Sequence, residues 1–183
     1  VLSAVVMVTQ DDLPYRSVAD VVTAAKDRPG QLNIANAGPG GAHHLSAELF
    51  EAAAGLDMVG VPFKGGGPAA TALLSGQVDL MFEQTGAAAP SIQARKIRAL
   101  GVTSAQRLAM LPDVPTFAES GFPQVTVSNW MGYVAPKGTP PEIVARLHKA
   151  FAKAMEHPEV RERIVSQGNE FGGGSSQEFA AFI

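Results

Sequence analysis

The 183-residue sequence has no cysteine. That excludes disulfides, thiolate metal sites and a cysteine nucleophile, and it fits an oxidising compartment. Charge of one sign is not in excess either: 14 Lys and Arg stand against 17 Asp and Glu, a formal net charge of −3. No basic stripe or long charge run offers a surface to nucleic acid, so no nucleic-acid partner is expected. No apolar run reaches the ~20 residues needed to span a bilayer. The opening Val1-Leu2-Ser3-Ala4-Val5-Val6-Met7-Val8 lacks the basic leader and small-residue cleavage site of a signal peptide. It starts inside a strand-like β-branched run, and Phe179 to Ile183 stops within an apolar helical pattern. The sequence therefore reads as a piece of a longer protein.

What is present is globular: 46% hydrophobic and 17% charged residues, with 19 Gly and 13 Pro. A chain this long can bury roughly 70% of its unfolded surface. Short apolar runs alternate with amphipathic ones. Strands are expected over Val5–Thr9, Leu32–Asn36, Met58–Val61, Val78–Phe82 and Ile97–Val102. Between them lie helices opened by Ser17 with Asp20, by the Gly38–Gly41 turn, by Pro68 with Leu73 and Leu74 inward, and at Ala87. This alternation predicts an α/β fold, a mostly parallel sheet with helices on both faces. The pattern changes after Leu111-Pro112-Asp113-Val114-Pro115. Val125–Val127 and Trp130–Ala135 read as one extended crossing segment. Thr139-Pro140-Pro141-Glu142 reads as a capped helix start, with Ile143, Leu147, Ala150, Phe151 and Ala154 as its buried stripe. Pro158 opens another helix, and Ser175 with Glu178 forms a further capping box. This tail is expected to be helical, without strands of its own.

Three loops could carry chemistry. Asn36-Ala37-Gly38-Pro39-Gly40-Gly41-Ala42-His43-His44 joins a strand to a helix. Its glycines let the backbone approach a ligand, and the helix N-terminus favours a carboxylate or phosphate. Gly38 and Gly40 match the first two glycines of a dinucleotide fingerprint, but His43 stands at the third, and Pro39 removes a donor. Val61-Pro62-Phe63-Lys64-Gly65-Gly66-Gly67-Pro68 is a second such turn, with a cation beside it. Phe82-Glu83-Gln84-Thr85-Gly86 adds polar groups at the same edge, suited to reading the far end of a ligand. Ligands of open α/β sheets sit at the carboxyl ends of strands. Catalytic readings have little support. There is no Gly-x-Ser-x-Gly elbow and no phosphate-loop Lys followed by Ser or Thr. His43 and His44 point roughly 100° apart on a helix and cannot chelate one metal together. Glu83 and Asp79 lack support as an acid–base pair, and Trp130 is read as core packing at the crossing segment.

The order of these motifs resembles the extracytoplasmic solute receptors of tripartite tricarboxylate transporters, the Bug family. It is carried by Gly38, Gly40 and His44-Leu45; by Val61-Pro62-Phe63-Lys64-Gly65 with Pro68-Ala69; and by Leu74-Ser75-Gly76-Gln77-Val78-Asp79-Leu80-Met81-Phe82. Ile97 to Ser104, Leu111 to Thr116, Gly138-Thr139-Pro140-Pro141, Pro158-Glu159-Val160-Arg161 and the Gly173–Phe179 tail continue it. The resemblance implies a type II periplasmic-binding-protein-like fold of two α/β lobes, the first incomplete here. Residues 1–8 would be a crossing strand, 9–128 the second lobe and 129–183 the return to the first. It further implies a periplasmic, non-enzymatic receptor with no cofactor or metal, which takes a small carboxylate and delivers it to integral-membrane transporter subunits. Ligand contacts would come from Ala37, Gly38, Gly40, Gly41, His43, Lys64, Gly65, Glu83, Gln84 and Thr85, and hinge motion from Thr9, Asn129 and Trp130. Phe63 and Glu83 stand where the family commonly has Tyr and Asp. Two rivals share the loop chemistry. One is the effector-binding domain of a cytoplasmic transcription regulator, which an upstream helix-turn-helix would reveal. The other is a small nucleotide-dependent enzyme, which hydride transfer or hydrolysis would reveal.

Overall fold

In a computed structural model, which describes residues 1–183, seven helices surround a seven-stranded sheet system. The first strand, β1 (Leu2–Gln10), is buried at seven of its nine positions, as expected of an apolar strand covered on both faces. Helix α1 (Val18–Asp27) begins at Ser17, whose hydroxyl accepts the Asp20 N–H at 3.2 Å. Then come β2 (Asn33–Asn36), α2 (Ala42–Ala54), β3 (Val59–Pro62), α3 (Gly66–Leu74), β4 (Leu80–Gln84), α4 (Thr85–Gln93) and β5 (Ile97–Val102). Gly55 ends α2 in the left-handed conformation, which a glycine adopts without a Cβ penalty. Helix α3 begins two residues before Pro68, and α4 follows β4 directly, two residues before Ala87.

The main sheet runs β3-β2-β4-β1-β5. β2 is parallel to β3 and to β4, while β1 is antiparallel to both β4 and β5. The parallel expectation therefore holds for β2 to β5, and β1 crosses between them in the opposite sense. Alternation along each strand divides two cores between the faces. Val5, Met7, Leu80 and Phe82 pack with α1 and α2 on one side; Val6, Val8 and Met81 pack with α3 and α4 on the other. In the first core Phe50 of α2 stands edge-on to Phe117 and Phe82, centroids 5.3 and 6.3 Å away, and fixes α2 over β4. Leu73 is buried, but Leu74 is exposed, because only one side of α3 meets the sheet.

The tail contains β6 (Ser128–Trp130), α5 (Pro141–Glu156), α6 (Pro158–Ser166), β7 (Asn169–Glu170) and α7 (Ser176–Phe182). It departs from the sequence reading in five ways. It has two short strands, both antiparallel to the start of β1: Leu2 faces Trp130 and Glu170, and Ser3 faces Asn129 and Asn169. The extended segment pairs only over residues 128–130. Thr139 does not cap α5, because its hydroxyl donates to the Pro136 carbonyl at 2.8 Å and Pro140 takes the cap position. The α5 stripe is not buried: Ile143, Leu147 and Phe151 are exposed, and Phe151 is met only partly, by the stacked ring of Tyr133 4.5 Å away. Trp130 is half out of the core, edge-on to Phe179 and Phe182 of α7. The Ser175–Glu178 capping box forms as expected.

One strand thus serves two sheets. Leu2–Ala4 pair with β6 and β7, and Val5–Gln10 pair with β4 and β5. The changeover falls between Ala4 and Val5, not at Thr9. Thr9 is fully buried between Leu80 and Arg98, and its hydroxyl donates to the Asp79 carbonyl at 2.9 Å. The main-sheet part of β1 accordingly begins at Val5.

Candidate functional site

The carboxyl ends of β3, β2 and β4 are neighbours, and the three loops singled out in the sequence leave from them. The first two are tied at their base, where the Phe63 N–H donates to the Asn36 carbonyl at 2.7 Å. Gly38, Gly40 and Gly65 hold φ of 127°, 76° and 103°, conformations that strain other residues. A Cβ at Gly38, Gly40, Gly65 or Gly67 would meet nothing within 4 Å, so open space lies against this backbone. The N-caps of α2 and α3 are Gly41 and Gly65, and neither helix has a side-chain cap. Both first turns therefore present N–H groups that no side chain satisfies, at the positive ends of two helix dipoles.

Lys64 is exposed and in no ion pair, so its charge is free at the rim. Ala37 and Gln84 are half-buried. The two histidines separate as their helical angle requires. His44 Nδ1 accepts the Gly40 N–H at 3.4 Å, so that donor is already engaged within the turn. His43 points across to β4, where its Nε2 lies 3.0 Å from Glu83 Oε1. Glu83 is 7% exposed, and the Gln84 N–H also donates to its Oε1 at 2.8 Å. Glu83 thus has a histidine partner forty positions earlier in the sequence, beyond the reach of any local pattern, and it is not paired with Asp79.

Thr85 leaves the set of ligand contacts. It is fully buried, and its hydroxyl donates to the Ala4 carbonyl at 2.9 Å. It ties the start of α4 to β1 at the changeover. Asp79 is also structural, with Oδ2 accepting the Asn33 N–H at 2.8 Å. Asn36 opens the first loop but is not among the expected ligand contacts, yet it is buried at the loop's base, and its Oδ1 has no partner. Its amide lies over Gly60, where a Cβ would come within 2.9 Å of Nδ2. An asparagine preceding a glycine turn was the available signal.

No group of three or more His, Cys, Asp or Glu side chains is gathered where one metal ion could be held. No helix is long and apolar enough to cross a membrane. A 30 Å³ crevice between α3 and α4 has room for about one water; a wider one of 550 Å³, lined by Gln10, Asp11, Asp12, Leu74, Arg95 and Lys96, lies at the far end of the sheet from the loops. The three loops supply backbone donors, one free cation and one carboxylate at neighbouring strand ends. Uncapped helix N-termini beside a free cation are the chemistry that suits a small anion.

A strand shared by two sheets, with glycine turns gathered at one edge of the larger, is the architecture of a periplasmic-binding-protein-like α/β fold. The chain belongs to the tripartite tricarboxylate transporter receptor family, whose model matches residues 1–183. It is 39% identical over 176 residues to a UPF0065 protein from the tcbD-tcbE intergenic region of Pseudomonas sp. strain P51, covering 96% of this chain and 52% of that protein. The structure of Rpa4515 from R. palustris with adipate superposes with a TM-score of 0.93 at 34% identity, over 99% of this chain and 60% of that one. MatC from Rhodopseudomonas palustris with bound malate superposes with a TM-score of 0.86 at 35% identity, over 91% of this chain and 57% of that one. The chain spans about half the length of the curated relatives it matches.

Proposed function

We propose that this chain is part of a periplasmic receptor that captures a small carboxylate in a cleft between two lobes and delivers it to membrane transporter subunits. The observation that carries the reading is the convergence of two helix N-termini without side-chain caps, each opened by glycines, at adjacent strand ends beside Lys64. Backbone groups around Ala37, Gly38, Gly41 and Gly65 to Gly67 would hold the carboxylate, with Lys64 adding charge from the rim. Closure would turn on β1 at Ala4–Val5 and on its partners Asn129 and Trp130. Adipate in one structural relative and malate in another support the ligand class.

The test uses the gene product that carries this sequence. Native mass spectrometry should show a retained organic acid, and calorimetry should give saturable binding for at least one small dicarboxylate. Substitution at Gly38 or Gly40 would strain the turn, whereas Gly67 is exposed, without positive φ, and faces open space. Gly67→Val should therefore weaken that binding at least about tenfold by keeping the ligand off the backbone, with stability changed by less than about 0.5 kcal/mol. Unchanged affinity in this variant would move the site away from α3.

A further inference from the structure

The two oxygens of Glu83 are not equivalent. Oε1 accepts from His43 and from the Gln84 N–H, which fixes the carboxylate in one orientation. Oε2 has no hydrogen-bond partner in the chain. The sealed side-chain atoms without partners are Asn36 Oδ1 and Ser46 Oγ, so Oε2 is open to the outside although the residue around it is nearly buried. It lies against the first residue of α3, 3.4 Å from where a Cβ on Gly66 would stand. Glycine at that position is what leaves the oxygen uncovered. No lysine or arginine of the chain pairs with Glu83, and His43 meets the opposite oxygen.

Resting on the carboxylate-receptor reading, we propose that Glu83 is a specificity-determining residue, which selects carboxylates bearing a hydroxyl or ammonium donor over unsubstituted ones. A ligand carboxylate on the α2 and α3 donors lies close to a second negative charge. A donor between them turns that repulsion into a charge-assisted hydrogen bond with Oε2. A methylene in its place strips water from Oε2 and returns nothing. Sites that hydrogen-bond a substrate group reject analogues lacking it far more strongly than apolar pockets discriminate by size.

The experiment is calorimetric titration of the gene product that carries this sequence with two matched series. One is succinate, malate and aspartate; the other is adipate, 2-hydroxyadipate and 2-aminoadipate. In the series that fits the cleft, a substituted acid should bind at least about tenfold tighter than its unsubstituted parent. Glu83→Gln should bring the two within about threefold of each other. Gly66→Ala should do the same while keeping the charge, because its methyl covers Oε2 and the backbone there has no positive φ. It decides the matter should Glu83→Gln fail to fold. Equal or tighter binding of the unsubstituted acid, or variants that leave the preference intact or weaken every acid alike, would overturn the proposal while leaving a carboxylate receptor. Failure of all six acids to bind would overturn both readings.

Discussion

At Glu51 a single carboxyl shows how burial sets the sign of a pH effect. Burial is the largest influence and raises its pKa above the ordinary glutamate range; the nearby Glu48 and Asp57 push the same way, against a hydrogen bond from the Met58 N–H. A carboxyl held above its unfolded pKa opposes folding when ionised. That penalty is absent below the unfolded value and grows as pH rises through it toward the folded one. Glu51→Gln keeps an acceptor for Met58 and should raise the melting temperature at pH 7 but not at pH 3.5, measured by thermal scans at both. A lower melting temperature at pH 7 would show that the charge is stabilising. The same scale explains what could be read of the site. The glycines of the first two loops announce themselves by type, because few residues tolerate φ near 76° or 103°. The partnership of His43 with Glu83 does not, since neither side chain carries any mark of the other. Thr85 misleads for a related reason: a hydroxyl at a strand end is equally suited to a ligand and to the Ala4 carbonyl, and only the path of β1 decides.

Elements were legible where their punctuation is local. Ser17 and the Ser175–Glu178 box each act within four residues and appear where expected. The start of α5 shows the limit, because Thr139 had a closer acceptor in Pro136 and the proline after it became the cap. The α5 stripe shows another: a 3.6-residue pattern reveals a face meant for burial but not whether the cover lies in the same chain. The direction of β1 escaped for want of any short-range signal. Local punctuation also yields a stability prediction. Arg95, just past α4, is the one non-glycine residue at positive φ, 52°, and it is exposed and in no ion pair. Arg95→Gly should stabilise the chain by about 1 kcal/mol, read from urea unfolding, by relieving the left-handed conformation. A loss of stability would show that the arginine side chain contributes more than its backbone costs.

For the whole molecule, the join between the two sheets is a continuous strand rather than a loop. The Thr85 hydroxyl holds the Ala4 carbonyl at that join, two residues from Glu83 along the chain. Thr85→Val keeps the shape and removes the donor, so it should cost about 1–3 kcal/mol. It should also speed amide exchange at Leu2–Ala4 more than at Met7–Thr9, measured by hydrogen exchange. Uniform acceleration along β1 would mean the bond supports the main sheet instead. The shared strand has a further consequence in time. Val5 must wait for Gln84, Val6 for Val102, and Leu2 for both Trp130 and Glu170. During synthesis the uncharged run Val5-Val6-Met7-Val8 leaves the ribosome long before the strands that cover its edges, and while it waits it has the apolar, β-branched, uncharged character of an aggregation-prone segment. Contacts so distant in sequence also make folding slow. A strand built this way needs shielding until its more distant partners arrive.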